Sequence, residues 1–487
     1  MIEQPARHLD RALLSGVAWT AFAKWTTQVL SWISTLFVAR LLVPADYGIL
    51  GSSVLILGFF TMLGDFGLGA AVVQKRAMRS EILSRLSGVS LGFGIVLAGL
   101  AIGLSWPASI FFAEPALRRT VVVMSATLVL SGLQVVPRAL LSRDLQFRFL
   151  ALVDSAEAIV AALTTLTLAL LGAGYWALVL GNLAAKVVAT ILIMLYRFQK
   201  LSRPGPLSEL REELQFGSHM FVANVGWYVY GGADIAIIGR VLGTGALGAY
   251  SLALNLATAP LVHVTNLISR VTPGVFSAVQ GNRIALTRYL AALIEGQAFL
   301  VFPAGVGIAL VAPDIVDLAL GVQWRPAVIP LRILAICTAF RCLTPILVQA
   351  LVYSGHPKQN SLITLRAALL LPILFIVGAH WGSGGVAAGW LIGFVGFILP
   401  MVLSSAKRHL GFNLADFVRS VSPALTCTIA MVISVLMSQR LLGSSDSAAV
   451  RLAESVFVGI AAYALAVLSL YWSRVTGFLQ HLRALRA

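Results

Sequence analysis

The chain has 487 residues, of which 59% are hydrophobic and 11% charged, with a formal net charge of +16 and a mean hydropathy of +0.91. Soluble domains carry roughly 25% charged residues, so the composition excludes a soluble globular protein and predicts an all-α polytopic membrane protein. The positive charge does not indicate nucleic-acid binding, because Lys and Arg sit at alternate ends of apolar runs, as topology signals do.

Windows of about twenty apolar residues predict about fourteen transmembrane helices. Their centres fall near residues 26, 60, 95, 130, 160, 185, 227, 258, 300, 339, 369, 393, 428 and 461. The polar N-terminus and the lack of a small-residue cleavage site make the first run an uncleaved helix. That helix, Val17 to Ala39, carries Thr20, Lys24, Thr27, Gln28, Ser31 and Thr35 at three- and four-residue spacing, hence on one face. Lys24 sits about 10 Å from the nearer end and about 22 Å from the other, too deep to snorkel, at a cost of about 2.5–3.5 kcal/mol on insertion scales. A hydrated cavity with an anionic guest would offset that cost, and so would a buried carboxylate partner. The glycines of residues 88–103 read as close helix packing and carry no ligand assignment.

Residues 197–216, "RFQKLSRPGPLSELREELQF", form the only long hydrophilic linker and divide the predicted helices into two sets of six. The expected organisation is an N-terminal lobe (1–200), a linker (201–214), a C-terminal lobe (215–410) and two additional helices (411–487). "ARLLVPADYGIL" from Ala39 and "GRVLGTGALGAY" from Gly239 align at an offset of 200, matching Arg40 with Arg240, Leu42 with Leu242 and Gly48 with Gly248. Lobes of six helices cross the membrane an even number of times, so they would be parallel repeats with a substrate path between them.

Charges within predicted spans are functional candidates because burial in lipid is costly. Lys24, Lys186 and Arg341 are the deep cations, and three of them favour an anionic guest. Gln28, Thr20, Ser31, Asn224 and Tyr228 complete the expected cavity lining. Asp65, Asp154, Glu157 and Asp234 are candidates for ion coupling, to a proton or sodium, or for ion pairs; Asp154 and Glu157 lie within a turn or two of Arg143 and Arg148. Cys337, Cys342 and Cys427 form no metal or disulfide pattern, and no cofactor is implied. No catalytic grouping or phosphate-binding glycine loop is present, so no enzyme activity is expected. The longest outside loops, near 105–119 and 312–326, are too short to form a domain. Basic clusters such as Lys75/Arg76/Arg79, Arg197/Lys200/Arg203 and Lys407/Arg408 fall on one side, which places both termini in the cytoplasm.

"WISTLFVARLLVPADYGILG" (32–51) followed by "GDFGLGAAVVQKR" (64–76) resembles the opening hairpin of the polysaccharide transporter family. These are the Wzx-type oligosaccharide flippases of the multidrug/oligosaccharidyl-lipid/polysaccharide exporter superfamily. "IFFAEPALRR" (110–119), "VVPRALLSRDLQFRF" (135–149), "GADIAIIGRVLGTGALGAYSLA" (232–253) and "QALVYSGHPK" (349–358) look like later landmarks of that family. The resemblance implies two six-helix lobes around a central cavity, working by alternating access in the bacterial cytoplasmic (inner) membrane. The implied cargo is an undecaprenyl-diphosphate-linked oligosaccharide for exopolysaccharide, capsule or lipopolysaccharide assembly, with a polymerase and glycosyltransferases as pathway partners. Other readings are a lipid II-type flippase, a cation-coupled multidrug exporter of the same superfamily, and a membrane-embedded enzyme acting on the lipid carrier.

Overall fold

Lipid offers the backbone no hydrogen-bond partners, so a chain this apolar must satisfy its peptide groups within helices. The computed structural model describes residues 31–64, 69, 72, 80–198, 228, 230–269, 272, 276, 282–441 and 447–471, and every regular element among them is helical. Twelve of the described helices are long and apolar enough to cross a membrane. They match twelve of the predicted centres. The other two, near 26 and 227, lie outside the described residues, and only α1 (Ser31–Leu41) and α8 (residues 230–241) are described beside them.

In chain order the remaining N-terminal elements are α2 (Pro44–Gly64), α3 (Ser80–Phe111), α4 (Pro115–Met124), α5 (Ala126–Arg143), α6 (Phe147–Leu170) and α7 (Tyr175–Tyr196). After α8 come α9 (Gly243–Ser269), α10 (Arg283–Ile315), α11 (Val328–Tyr353), α12 (Pro357–Ala379), α13 (Gly382–Gly393), α14 (Leu399–Leu410), α15 (Leu414–Leu441) and α16 (Ala448–Leu470). Helices α4 and α5 together make one span, as do α13 and α14, which are joined by a π-helical turn at Phe394–Ile398.

Helix starts follow from local chemistry. Glu114 accepts a hydrogen bond from the Ala116 amide at 3.3 Å, and Pro115 opens α4 where its missing amide costs nothing. Asn282 caps α10 through the Ala285 amide at 3.0 Å, and Asn413 and Asp416 cap α15 reciprocally. These caps correct the expected long loops. Only residues 112–114 separate α3 from α4, and residues 316–327 are a π-turn and a 3-10 turn joined by Gly321.

The chain divides into two compact units, Met1–Gly248 and Ala249–Ala487, with the division inside α9. The domain boundary expected at 201–214 lies outside the described residues. In the first unit, Ile56, Leu57 and Phe60 of α2 pack against Leu97 of α3 and Leu117 and Val121 of α4. Ser53 and Thr120 share a buried 2.7 Å hydrogen bond across the α2–α4 contact. Val38 and Leu42 pack against Ala169 of α6 and Ala177 and Leu178 of α7.

Within this unit α2 and the start of α9 cross at backbone contact. A Cβ on Gly48 would overlap the carbonyl oxygen of Thr244, and a Cβ on Gly248 would overlap that of Pro44. Residues 44 and 244, like 48 and 248, are related by the 200-residue offset of the sequence repeat. The contact is therefore self-complementary, as at a two-fold interface.

In the second unit, α10 packs against α11, α15 and α16. Trp324, Trp390 and Phe302 are fully or almost fully buried there. The two C-terminal helices belong to this unit. Arg451 of α16 pairs with Asp314 of α10 at 2.9 Å, and the Tyr463 hydroxyl donates to the Phe299 carbonyl at 2.8 Å. Elsewhere α16 presents Phe457 and Ile460 outward, as a lipid-facing helix does.

Candidate functional site

Thr20, Lys24, Gln28, Asp65 and Asn224 lie outside the described residues. Ser31 is half-buried on α1, and its carbonyl accepts a 2.8 Å hydrogen bond from the Thr35 hydroxyl. The Tyr228 hydroxyl donates to the Leu55 carbonyl at 2.5 Å, with the ring against Phe59. Gly58 makes this approach possible, since a side chain there would collide with the phenol oxygen. Tyr228 and α2 line a cavity of about 400 Å³ with Thr61 and Thr127, so a largely apolar pocket carries three hydroxyls.

The first unit also contains a polar chain across three helices. Arg138 of α5 binds Asp154 at 3.0 Å and Glu157 at 3.4 Å, both on α6. Its Nε donates to Gln134 Oε1 at 3.0 Å, and Gln134 Nε2 donates to the Thr190 hydroxyl of α7 at 2.6 Å. Thr190 in turn donates to the carbonyl of Lys186 at 2.7 Å, one turn earlier. Arg138 is thus the partner of the two acids, where the sequence suggested Arg143 or Arg148. Gln134 was not anticipated; its one sequence signal is an amide four residues before an intramembrane arginine.

Asp234 is fully buried on α8, and its Oδ1 accepts the Ile235 amide at 2.8 Å. In the second unit Arg341 is half-buried near the middle of α11, with its guanidinium carbon 4.2 Å from the centroid of the buried Trp390 ring. Among the described residues it has no ion pair. No Asp or Glu occurs in the sequence between Asp317 and Asp416, so its own helix and the next two spans offer it no carboxylate. A cation–π contact of a desolvated arginine contributes about 2 kcal/mol and leaves the donors available to an anion. On α10, fully buried Gln297 donates to Thr265 at 2.8 Å and to the Cys342 carbonyl at 2.9 Å. Cys337, Cys342 and Cys427 are buried and free. No group of three metal-ligating side chains occurs among the described residues.

Apolar spanning helices with a few cations and hydrogen-bonded polar residues among them define a multi-pass membrane protein. The chain belongs to the polysaccharide biosynthesis protein family, whose sequence model spans residues 37–329, and so to the Wzx-type transporters that its motifs resemble. It is 25% identical over 418 residues to lipopolysaccharide biosynthesis protein WzxC of Escherichia coli, covering 82% of this chain and 84% of that protein. It is 24% identical over 429 residues to an uncharacterized membrane protein in the cps region of Klebsiella pneumoniae, covering 87% and 88%. The fold matches a structure of the lipid II flippase MurJ in an inward closed conformation, with a TM-score of 0.76 at 14% identity over 94% of this chain and 99% of that one. These relatives identify a bacterial membrane protein.

Proposed function

We propose that the chain is a flippase that moves an undecaprenyl-diphosphate-linked oligosaccharide from the cytoplasmic to the outer leaflet of the bacterial inner membrane by alternating access. The observation that carries this reading is Arg341. It is a mid-helix cation held over Trp390, without a carboxylate partner among the described residues, in a stretch of sequence free of acidic side chains. A lipid diphosphate is the anion that such a donor set suits, and a glycan suits the hydroxyl-bearing cavity beside Tyr228. Lys24 and Lys186 are further cargo-binding candidates in the first unit, and Asp65 and Asp234 are candidates for proton or sodium coupling. An inside-negative potential assists export of an anion by about 2.3 kcal/mol per charge per 100 mV. No step of this cycle makes or breaks a covalent bond, so the protein works without catalysis, between the glycosyltransferases that build the unit and the polymerase that uses it.

The test is glycan export in a strain dependent on this gene, with protein abundance measured in the same cells. Arg341→Gln should leave abundance near normal and reduce export by tens of fold, because a charge-assisted hydrogen bond contributes about 1.5–3 kcal/mol. Arg341→Lys should retain part of the activity. Lys24→Ala should behave like Arg341→Gln. Normal export in both neutral variants would overturn the cargo assignment, and loss of Lys24→Ala protein would mark Lys24 as the partner of a buried acid.

A further inference from the structure

A second polar site, whose lining includes neither Arg341 nor Trp390, lies at the end of the second unit where α12 begins and α14 ends. It is a pocket of about 490 Å³ formed by one face of each helix. Along the α13–α14 span, the lining positions recur at helical spacing and change character with depth. Gly396, Phe397, Pro400 and Met401 are apolar, whereas Ser404, Ser405, Arg408 and His409, nearer the helix end, are polar. Gln359 and Arg366 face them from α12. Neither Arg366 nor Arg408 has an ion pair or hydrogen bond among the described residues, and no carboxylate lines the pocket. The His409 ring packs against His356 at 4.2 Å between centroids, and its buried Nε2 has no hydrogen-bond partner among the described residues. The π-turn at Phe394–Ile398 interrupts the regular helix beside the pocket, and two of its residues contribute to the wall. Such turns cost hydrogen-bond geometry and are found disproportionately at functional positions.

We infer that this pocket binds the phosphate of a membrane lipid. Two guanidiniums, two hydroxyls and an amide offer an anion nothing but donors or neutral partners, and the apolar wall continues toward the membrane interior, where acyl chains lie. Basic pockets between helices at a membrane surface bind anionic headgroups for this reason. The pocket opens outward, with Arg366, Arg408, Leu362 and Phe397 all exposed, so a lipid can reach it from the bilayer. The assigned occupant is a resident anionic glycerophospholipid. The same phosphate chemistry is offered by a polyprenyl phosphate, so the experiment separates the two.

The full-length protein is purified in neutral detergent and titrated separately with phosphatidylglycerol, phosphatidylcholine and undecaprenyl phosphate, with bound lipid counted by native mass spectrometry. The expected result is preferential retention of phosphatidylglycerol over phosphatidylcholine, weakened at least tenfold in the Arg366→Gln/Arg408→Gln double variant. A second variant keeps both arginines. A Cβ at Gly396 meets nothing within 4 Å, so a larger side chain there starts into open space, and Gly396→Leu, which narrows the pocket, should also reduce retention. Retention of undecaprenyl phosphate in place of phosphatidylglycerol, lost in the same variants, would uphold a lipid-phosphate site and overturn the glycerophospholipid as its occupant. Equal retention of phosphatidylglycerol and phosphatidylcholine, or retention unchanged in both variants, would overturn the site. Neither result bears on export through Arg341.

Discussion

An ionised side chain inside an apolar helix costs several kcal/mol unless its surroundings supply a partner, and the described residues show two solutions. Arg138 is shared between two carboxylates and tied through Gln134 to the next helix. Arg341 rests on an indole face instead. The difference has a measurable consequence. Arg138→Gln leaves Asp154 and Glu157 close together without a counter-charge, and both are partly exposed, which moderates the penalty. The expected loss is about 1–3 kcal/mol, read as a lower melting temperature in detergent. Adding Asp154→Asn and Glu157→Gln to that variant should recover most of the loss, because the three side chains act as one network. Recovery with ion-dependent transport intact would show that the acids serve the arginine and not a coupling ion. If the triple variant is instead stable but has lost ion-dependent transport, coupling at Asp154 and Glu157 gains support.

Helices were the most legible level of this protein, because in lipid an apolar run of about twenty residues has few alternatives. Helix ends were less legible. Glu114-Pro115 and Asn413 to Asp416 are start signals written in the sequence, yet an apolar window blurs them, and the connections near 105–119 and 312–326 are shorter than such a window suggests. The pairing of Gly48 with Gly248 was visible only as three identities in twelve residues. Its meaning needed the backbone, since a glycine that permits helix contact and one that merely occupies a turn look alike in sequence. The reciprocal overlap with Thr244 and Pro44 makes a strong prediction. Gly48→Ala or Gly248→Ala must push two backbones apart, at a cost of about 1–3 kcal/mol. Thermal unfolding of the purified protein should show the loss for each. Gly396→Ala, where no atom lies within 4 Å, serves as the control and should change stability little. Equal melting temperatures for all three variants would rule out the close crossing.

At the scale of the whole chain, composition specified a polytopic protein, and charge placement specified its expected orientation. The candidate site was only partly legible. Arg341 stands out as a charge in an apolar run, but its contact with Trp390 spans 49 positions of sequence and depends on the rotational setting of two helices, which no periodicity within one helix reports. For the same reason Arg366 stands in the sequence only as another charge in an apolar run, and its convergence with Arg408 requires the fold. Orientation rests on simpler physics. In the second unit successive spans alternate in direction, so the end of α16 lies with Arg283, Lys358, Lys407 and Arg408. At the opposite end Arg325 and Arg451 are each neutralised by a nearby aspartate, Asp317 at 3.0 Å and Asp314 at 2.9 Å. Cytoplasmic loops hold the excess of Lys and Arg, and on this ground we propose that the end of α16 faces the cytoplasm. Gly172 precedes α7 and Lys200 follows it in the sequence, so the expected topology puts the two positions on opposite sides of the membrane. A phosphatase reporter active only outside the cytoplasm should therefore be active when fused after Gly172. It should be silent after Lys200 and at the C-terminus. Strong activity at the C-terminus would reverse the orientation of the second unit and would be incompatible with fourteen crossings from a cytoplasmic start.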